Sequence, residues 1–453
     1  MSWKASLLPT RSYITILVGF LIGFSIVLYV EKHMPPVVEE KAGYTLSKDF
    51  PPLPQRRDLT FDEAVWARVA WQYFANNTQL TGLANAQDQR PYTSLWDTGS
   101  YLMALIAARQ LDIVPEDEFN QRISKTLTAL SLLPLLPTGV PGSWYHTQTL
   151  SMIVDPEQKE PATGSAVDMG RLLVPLTLLV WRYPAHAAQV QEVLAQWNLG
   201  ALFESSAPST ATSIEVSHWD LSASQTRSGY GFRLYTAGTL RMVSPSAGIA
   251  VTQPPEGIKL VQIDGYAIPS DGFRKGVDQA APTIITLPYV LTGLELGFDS
   301  RTAEFAWRIV RIQQSLHKAT GNYTSVNTDY AEQAPDFIAA LPGQQPVQDA
   351  TVSHSDLEPA RLLSTRSAFG WYALFRNAWS ETLRAQAVPL LEPGKGWYEG
   401  YSGNQNVNRT LSADTNAVVL ESLNYIAHGQ MMCLACVSPS PMPMTDRNKG
   451  VLP

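Results

Sequence analysis

Two stretches of this chain share a design that limits what it can become: a serine, an aspartate three residues on, then an apolar stripe at helical spacing. In Thr93-Ser94-Leu95-Trp96-Asp97-Thr98-Gly99-Ser100-Tyr101-Leu102, Ser94 and Asp97 have the spacing of a capping pair. Tyr101, Leu102, Leu105, Ile106 and Leu111 then recur on one face, which predicts a helix over 94–111. Ser165 and Asp168 repeat the arrangement ahead of an apolar run to Tyr183. A carboxylate in a first helical turn is favoured by the helix dipole, so capping alone accounts for both acids. Thr60 and Glu63 open a further helix with its stripe at Val65, Trp66, Val69, Ala70 and Tyr73. Other helices are predicted over 115–133, 186–198, 234–243, 282–296, 301–316, 357–379, 380–390 and 413–427, with short strands near 258–263. The pattern is mostly helical, with helices in pairs joined by long loops. No regular internal repeat is present, which argues against a solenoid.

Composition removes several classes. Hydrophobic residues are 45% of the 453 and charged ones 16%, enough for a large core and unlike a disordered chain. The formal charge is −7 and no basic stripe occurs, which argues against nucleic acid as partner. Cys433 and Cys436 precede a Ser/Pro/Met tail, consistent with a local disulfide or two idle thiols. No ligand spacing for a metal is present, and no phosphate-cradling loop or serine elbow, so neither metal nor cofactor is expected.

The N-terminus carries a different signal. Residues 13–30 hold no charge, which just reaches the length of a membrane-spanning helix. Lys4 and Arg11 precede the run, and no small-residue cleavage site follows it. The expected order is a short cytoplasmic segment over 1–12, an uncleaved anchor over 13–30, a proline-rich tether over 31–57, a globular domain over 58–430 and a tail over 431–453. This describes a single-pass protein of a bacterial inner membrane with its bulk in the periplasm.

Six short motifs in order give the domain a family likeness. They are Trp96-Asp97-Thr98-Gly99-Ser100, Asp168-Met169-Gly170-Arg171-Leu172-Leu173, Pro288-Tyr289-Val290-Leu291-Thr292-Gly293-Leu294-Glu295, Ser364-Thr365-Arg366-Ser367-Ala368-Phe369-Gly370-Trp371, Gly396-Trp397-Tyr398-Glu399-Gly400 and Thr415-Asn416-Ala417-Val418-Val419-Leu420-Glu421-Ser422. With them the chain resembles the bacterial domain of unknown function 3131 family, grouped with six-hairpin glycosidases. The resemblance implies an (α/α)6 barrel, a toroid of helical hairpins, and a carbohydrate substrate. It supplies no assigned catalytic roles. One departure stands at Gln225, near which the family tends to carry an acid.

Glycoside hydrolysis usually needs two carboxyl groups, one of them protonated at working pH. Asp97 and Glu399 are the favoured pair, with Asp168 third. Glu399 lies in a glycine-flanked stretch read as a loop, and Arg171 follows Asp168 by one turn, where the two can pair. Trp96, Trp144, Tyr230 and Trp397 are the chosen stacking platforms, with Arg171, Asp220 and Asp271 as further substrate contacts. Trp66, Trp71, Trp181, Trp307, Trp371 and Trp379 fall at helical positions and read as core. The expected protein is a membrane-anchored glycoside hydrolase processing an exopolysaccharide or periplasmic glucan, beside a polysaccharide synthase or export complex. The alternatives are a non-catalytic glycan-binding or assembly protein on the same barrel and, behind it, a polysaccharide lyase.

Overall fold

The computed structural model describes residues 38–39, 45–47, 49–153, 164–200, 230–243, 260–263, 265–269, 285–321, 323, 325, 327–330, 337–339, 351–352, 363–402 and 406–432. The chain divides into two units, Met1–Phe50 and Pro51–Pro453. In the first, strands Val38–Glu39 and Thr45–Leu46 pair antiparallel. The expected anchor over 13–30, the tail beyond 432, both cysteines, Gln225, Asp220 and Asp271 lie outside the described residues. Among the described residues no helix is long and apolar enough to cross a membrane.

The second unit is a ring of hairpins. Its described helices are α1 (Phe61–Asn77), α2 (Leu95–Gln110), α3 (Glu116–Ser131), α4 (Ala166–Arg182), α5 (Ala187–Gln196), α6 (Tyr230–Val243), α7 (Leu287–Leu291), α8 (Ser300–Thr320), α9 (Thr365–Leu374), α10 (Ala378–Ala387) and α11 (Ala413–His428). Helix α2 packs on α4, α4 on α6, α6 on α7, α7 on α9, α9 on α11 and α11 back on α2, which closes an inner ring. The other described helices flank it, α1 against α11 and α3 against α5. Burial follows the layers. Every residue of α2 from Leu95 to Ala108 is buried, whereas α3 buries only Phe119, Ile123, Thr126, Leu127, Ala129 and Leu130. A helix buried all round belongs inside, and a striped one belongs at the edge.

Several predicted helix starts hold in detail, while the helix predicted from 234 begins at Tyr230. Ser94 and Ser165 accept hydrogen bonds from the backbone N–H of Asp97 and Asp168. Thr60 and Glu63 form a reciprocal capping box, and Ser412 caps α11. Where prediction and structure differ, local chemistry explains it. The helix predicted over 357–379 starts only at Thr365 and breaks before Asn377, which opens α10 with its own capping box. The helix predicted over 282–296 begins at Leu287 and passes into a π turn over Thr292–Leu296. Trp181 is 37% exposed rather than core.

Strands gather near the starts of the inner helices. They are β1 (Tyr92–Ser94), β2 (Trp144–His146), β3 (Met152–Ile153), β4 (Thr328–Tyr330), β5 (Leu363–Ser364), β6 (Leu391–Glu392), β7 (Gly396–Ser402) and β8 (Asn406–Leu411). Strands β1, β2 and β3 form one antiparallel sheet, and β7 pairs with β5, β6 and β8. The stretch read as a glycine-flanked loop is therefore strand β7. Its Trp397, Tyr398 and Tyr401 are residues that favour strands. A Cβ on Gly400 would meet the Leu363 carbonyl, so glycine lets β7 close on β5.

Candidate active site

Helices α2, α4, α9 and α11 each begin directly after a serine, and these starts carry acids and one arginine inward. Asp97 is the third residue of α2, Arg366 the second of α9 and Asp414 the second of α11. Two strands bring the remaining acids to this group. Glu399 sits on β7 where its register with β8 shifts between Tyr398 and Gly400. Such irregularities re-aim a side chain, here into the protein. Asp329 and Tyr330 are neighbours on β4, so their side chains leave opposite faces.

That alternation lets β4 touch both halves of the group. The Tyr330 hydroxyl donates to Asp97 Oδ2 at 3.0 Å, and Ser94 also donates to that carboxylate. On the other face Asp329 accepts from Arg366 at 2.7 Å and from the Ser364 hydroxyl at 2.9 Å. Arg366 also pairs with Asp414 and lies 3.7 Å from Glu399 Oε2. The Ser412 hydroxyl donates to Glu399. One cation therefore faces three carboxyl groups.

Burial then decides who keeps a proton. Glu399 is fully buried, and burial pushes its carboxyl up to about 8. Arg366 opposes that shift, while the Asp329 charge adds to it. Burial also raises Asp329, against the pull of Arg366 and of the Ser364 hydroxyl. Arg366 is raised further by Asp414 and Asp329 against the cost of its own burial. This is an acid that stays protonated at neutral pH beside others that can be charged.

The expected pair therefore reaches one end of the barrel, linked through β4 rather than by contact. Asp97 and Glu399 are both fully buried, and Asp329 is only 5% exposed. Asp168 is buried at the start of α4, capped by Ser165. Its expected partner Arg171 pairs elsewhere, with Glu295 and Glu421. Helical spacing made the Asp168 pairing available, but two glutamates on facing inner helices claim the guanidinium.

The expected stacking platforms are interior side chains. Trp96 packs edge-on to Phe232 and beneath Arg171. Trp397 packs edge-on to Trp66 and Phe369 and donates its indole N–H to the Trp66 carbonyl. Trp144 sits against Tyr92 in a cluster with Ala86 and Tyr330, and Tyr230 lies against Phe305. Expected in loops or at helix entrances, they are buried instead, Trp96 and Tyr230 at helix starts and Trp144 and Trp397 on strands β2 and β7. The reading missed Asp329 altogether. It lies on a three-residue strand with no helical spacing, and only its partners mark it.

A family model, "Protein of unknown function (DUF3131)", matches residues 65–429. Among solved structures, the chain is similar to a proposed glucoamylase from Bacteroides caccae at 14% identity and a TM-score of 0.60, covering 82% of this chain and 93% of that one. It is similar to an endo-β-1,2-glucanase from Chitinophaga pinensis, in complex with sophorotriose and glucose, at 12% identity and a TM-score of 0.56, covering 83% and 94%. A β-1,2-glucanase from Parabacteroides distasonis gives 13% identity and a TM-score of 0.58, covering 83% of this chain and 58% of that one. These likenesses show a six-hairpin glycosidase fold. No curated protein matches the chain.

Proposed function

The chain belongs to the DUF3131 family, and from that premise we propose that it is a glycoside hydrolase acting on a polysaccharide, with a β-linked glucan the first substrate to try. The observation that carries this reading is the gathering of Asp97, Asp329, Glu399 and Asp414 at the helix-start end of the barrel, with Glu399 holding a proton there. Glu399 is the general acid. It gives its proton to the glycosidic oxygen as the C1–O bond breaks. Water adds to C1, and its proton passes to a carboxylate, Asp97 or Asp329. Because these acids are buried, this end must open as glycan binds. The Chitinophaga pinensis endo-β-1,2-glucanase supports the substrate class through its fold and its bound sophorotriose. In the same proposal, residues 13–30 anchor the protein in a bacterial inner membrane and hold the barrel in the periplasm, where a synthase or exporter releases its polymer.

The test is release of new reducing ends from β-1,2-glucan and a panel of other glucans by the full chain. Glu399→Gln should abolish release while the helical circular dichroism is unchanged; undiminished turnover would remove Glu399 from the reaction. A second reading, a non-catalytic glycan-binding or assembly protein, is favoured by one observation: each of these acids is closed from solvent and matched to Arg366, Tyr330 or a serine hydroxyl. Binding of glycan without cleavage after long incubation would decide for it.

A further inference from the structure

A polar cavity of about 410 Å³ lies outside the acid cluster, lined by Asn76, Asn77, Gln79, Asn85, Asp88, Gln89, Pro91, Gln148 and Lys395. Its volume is in the range of small-molecule sites. Most of its lining is carboxamide. Such groups offer a donor and an acceptor side by side without net charge, the complement of neighbouring hydroxyls on a sugar ring.

The cavity is built rather than incidental. Asn77 is buried and held by the Tyr73 carbonyl at 3.1 Å and Asp88 at 3.0 Å. Asn85 is buried, and its oxygen accepts from Thr147 at 2.7 Å and from Gln79 at 3.3 Å. Gln148 donates to Gln79 at 3.3 Å. A chain of amides thus runs from floor to rim with its orientation set. Gln89 takes a left-handed backbone, φ 61°, which an L side chain adopts at a cost. The fold keeps a glutamine at this rim position in a conformation that favours glycine.

The cavity is also joined to the acid end. The Asp88 N–H donates to the Leu411 carbonyl at 3.0 Å, and Gln87 bridges Ser412, whose hydroxyl donates to Glu399. Asp88 and Lys395 put one charge of each sign in the lining, so it carries no net charge and its amides suit a neutral, hydroxyl-rich occupant.

We propose that this amide cavity is a second glycan-binding site, holding one or two neutral sugar units of a chain whose other part reaches the acid end. The inference takes its substrate class from the hydrolase reading but not its chemistry, so each can fail alone. The test uses Glu399→Gln protein, which cannot cleave, titrated calorimetrically with glucose, sophorose, laminaribiose and cellobiose. Two variants remove the cavity's contacts: Gln79→Leu with Gln148→Leu, and Gln89→Gly, which also relieves the left-handed backbone and therefore should not unfold the protein. Each should raise the dissociation constant of the bound disaccharide by about tenfold or more. Unchanged affinity in the folded variants overturns the proposal, as does failure of all four sugars to bind. Lost binding in the cavity variants together with a wild-type chain that never cleaves upholds the cavity and removes the hydrolase.

Discussion

Arg171 and Arg366 are the most deeply buried of the described arginines, and they sit in contrasting surroundings. Arg366 lies at the helix starts, among Asp329, Glu399 and Asp414. Arg171, the sixth residue of α4, lies more than a turn deeper, among Glu295, Glu421 and the hydroxyl of Tyr235. Ser100 joins them, donating to Asp414 at 3.1 Å and accepting from Arg171 at 3.3 Å. Each site has more carboxyls than cations, and each holds a raised glutamate, Glu399 at about 8 and Glu421 at about 7, both through burial first. A raised carboxyl is therefore no signature of catalysis by itself. What separates the sites is position. The deeper one is made from inner helices and the π turn that continues α7, while the other is assembled from helix starts and strands at one end of the barrel. Glu295 stands on a π turn, and its partners Arg171 and Tyr235 are as enclosed as Glu399 and Arg366, so burial does not distinguish the two sites.

The largest effect that would sharpen this contrast is on turnover. Glu399→Gln should lower glucan cleavage by about 10²–10⁴-fold, the usual contribution of a general acid, while Glu421→Gln leaves it within about twofold. Equal losses in a reducing-end assay would erase the distinction between end and interior. Next comes stability. Arg171→Met strands two carboxyls where water cannot follow and should cost about 3–5 kcal/mol by urea denaturation. Arg366→Met should cost less, because burial already holds Glu399 toward its neutral form, at about 8, and so leaves less charge uncompensated.

The pH dependence of folding separates the two glutamates. Both are raised in the folded state, so the fold favours their protonated forms. Their contribution is full below the unfolded carboxylate range and is lost as pH rises, through about 7 for Glu421 and about 8 for Glu399. The urea midpoint should therefore fall across that window. Each Glu→Gln change should remove part of the fall from the unfolded carboxylate range upward, ending near pH 7 for Glu421→Gln and near pH 8 for Glu399→Gln. The smallest effect concerns the two serine caps. Ser165→Ala should cost about 1 kcal/mol, a plain cap. Ser94→Ala should cost more in thermal unfolding, since Ser94 also donates its hydroxyl proton to Asp97.

The six family motifs were legible as strings before any reason for them was. In the structure each contributes to one buried polar path: Asp97 and Ser100, Arg171, Glu295, Arg366, Glu399, and Glu421. Glu399 was found for its glycines but assigned to a loop, because alternation over so few residues is a weak strand signal. Trp96, Trp144, Tyr230 and Trp397 were expected in loops or at helix entrances; Trp96 and Tyr230 do open helices, Trp144 and Trp397 lie in strands, and all four are buried. The amides of the second cavity gave no signal, since scattered Asn and Gln also occur in any loop.

What the sequence determined by itself was local. A serine cap and the acid of its first turn are three residues apart, and so are a capping box and the stripe behind it. These fixed where the helices α1, α2 and α4 begin. Only the tertiary structure decided which charges meet. Arg171 reaches Glu421 across 250 positions of chain, and Tyr330 reaches Asp97 across 233. Such pairs form because closing the ring removes water from all of them together, and each buried charge then takes whichever partner the neighbouring helix presents.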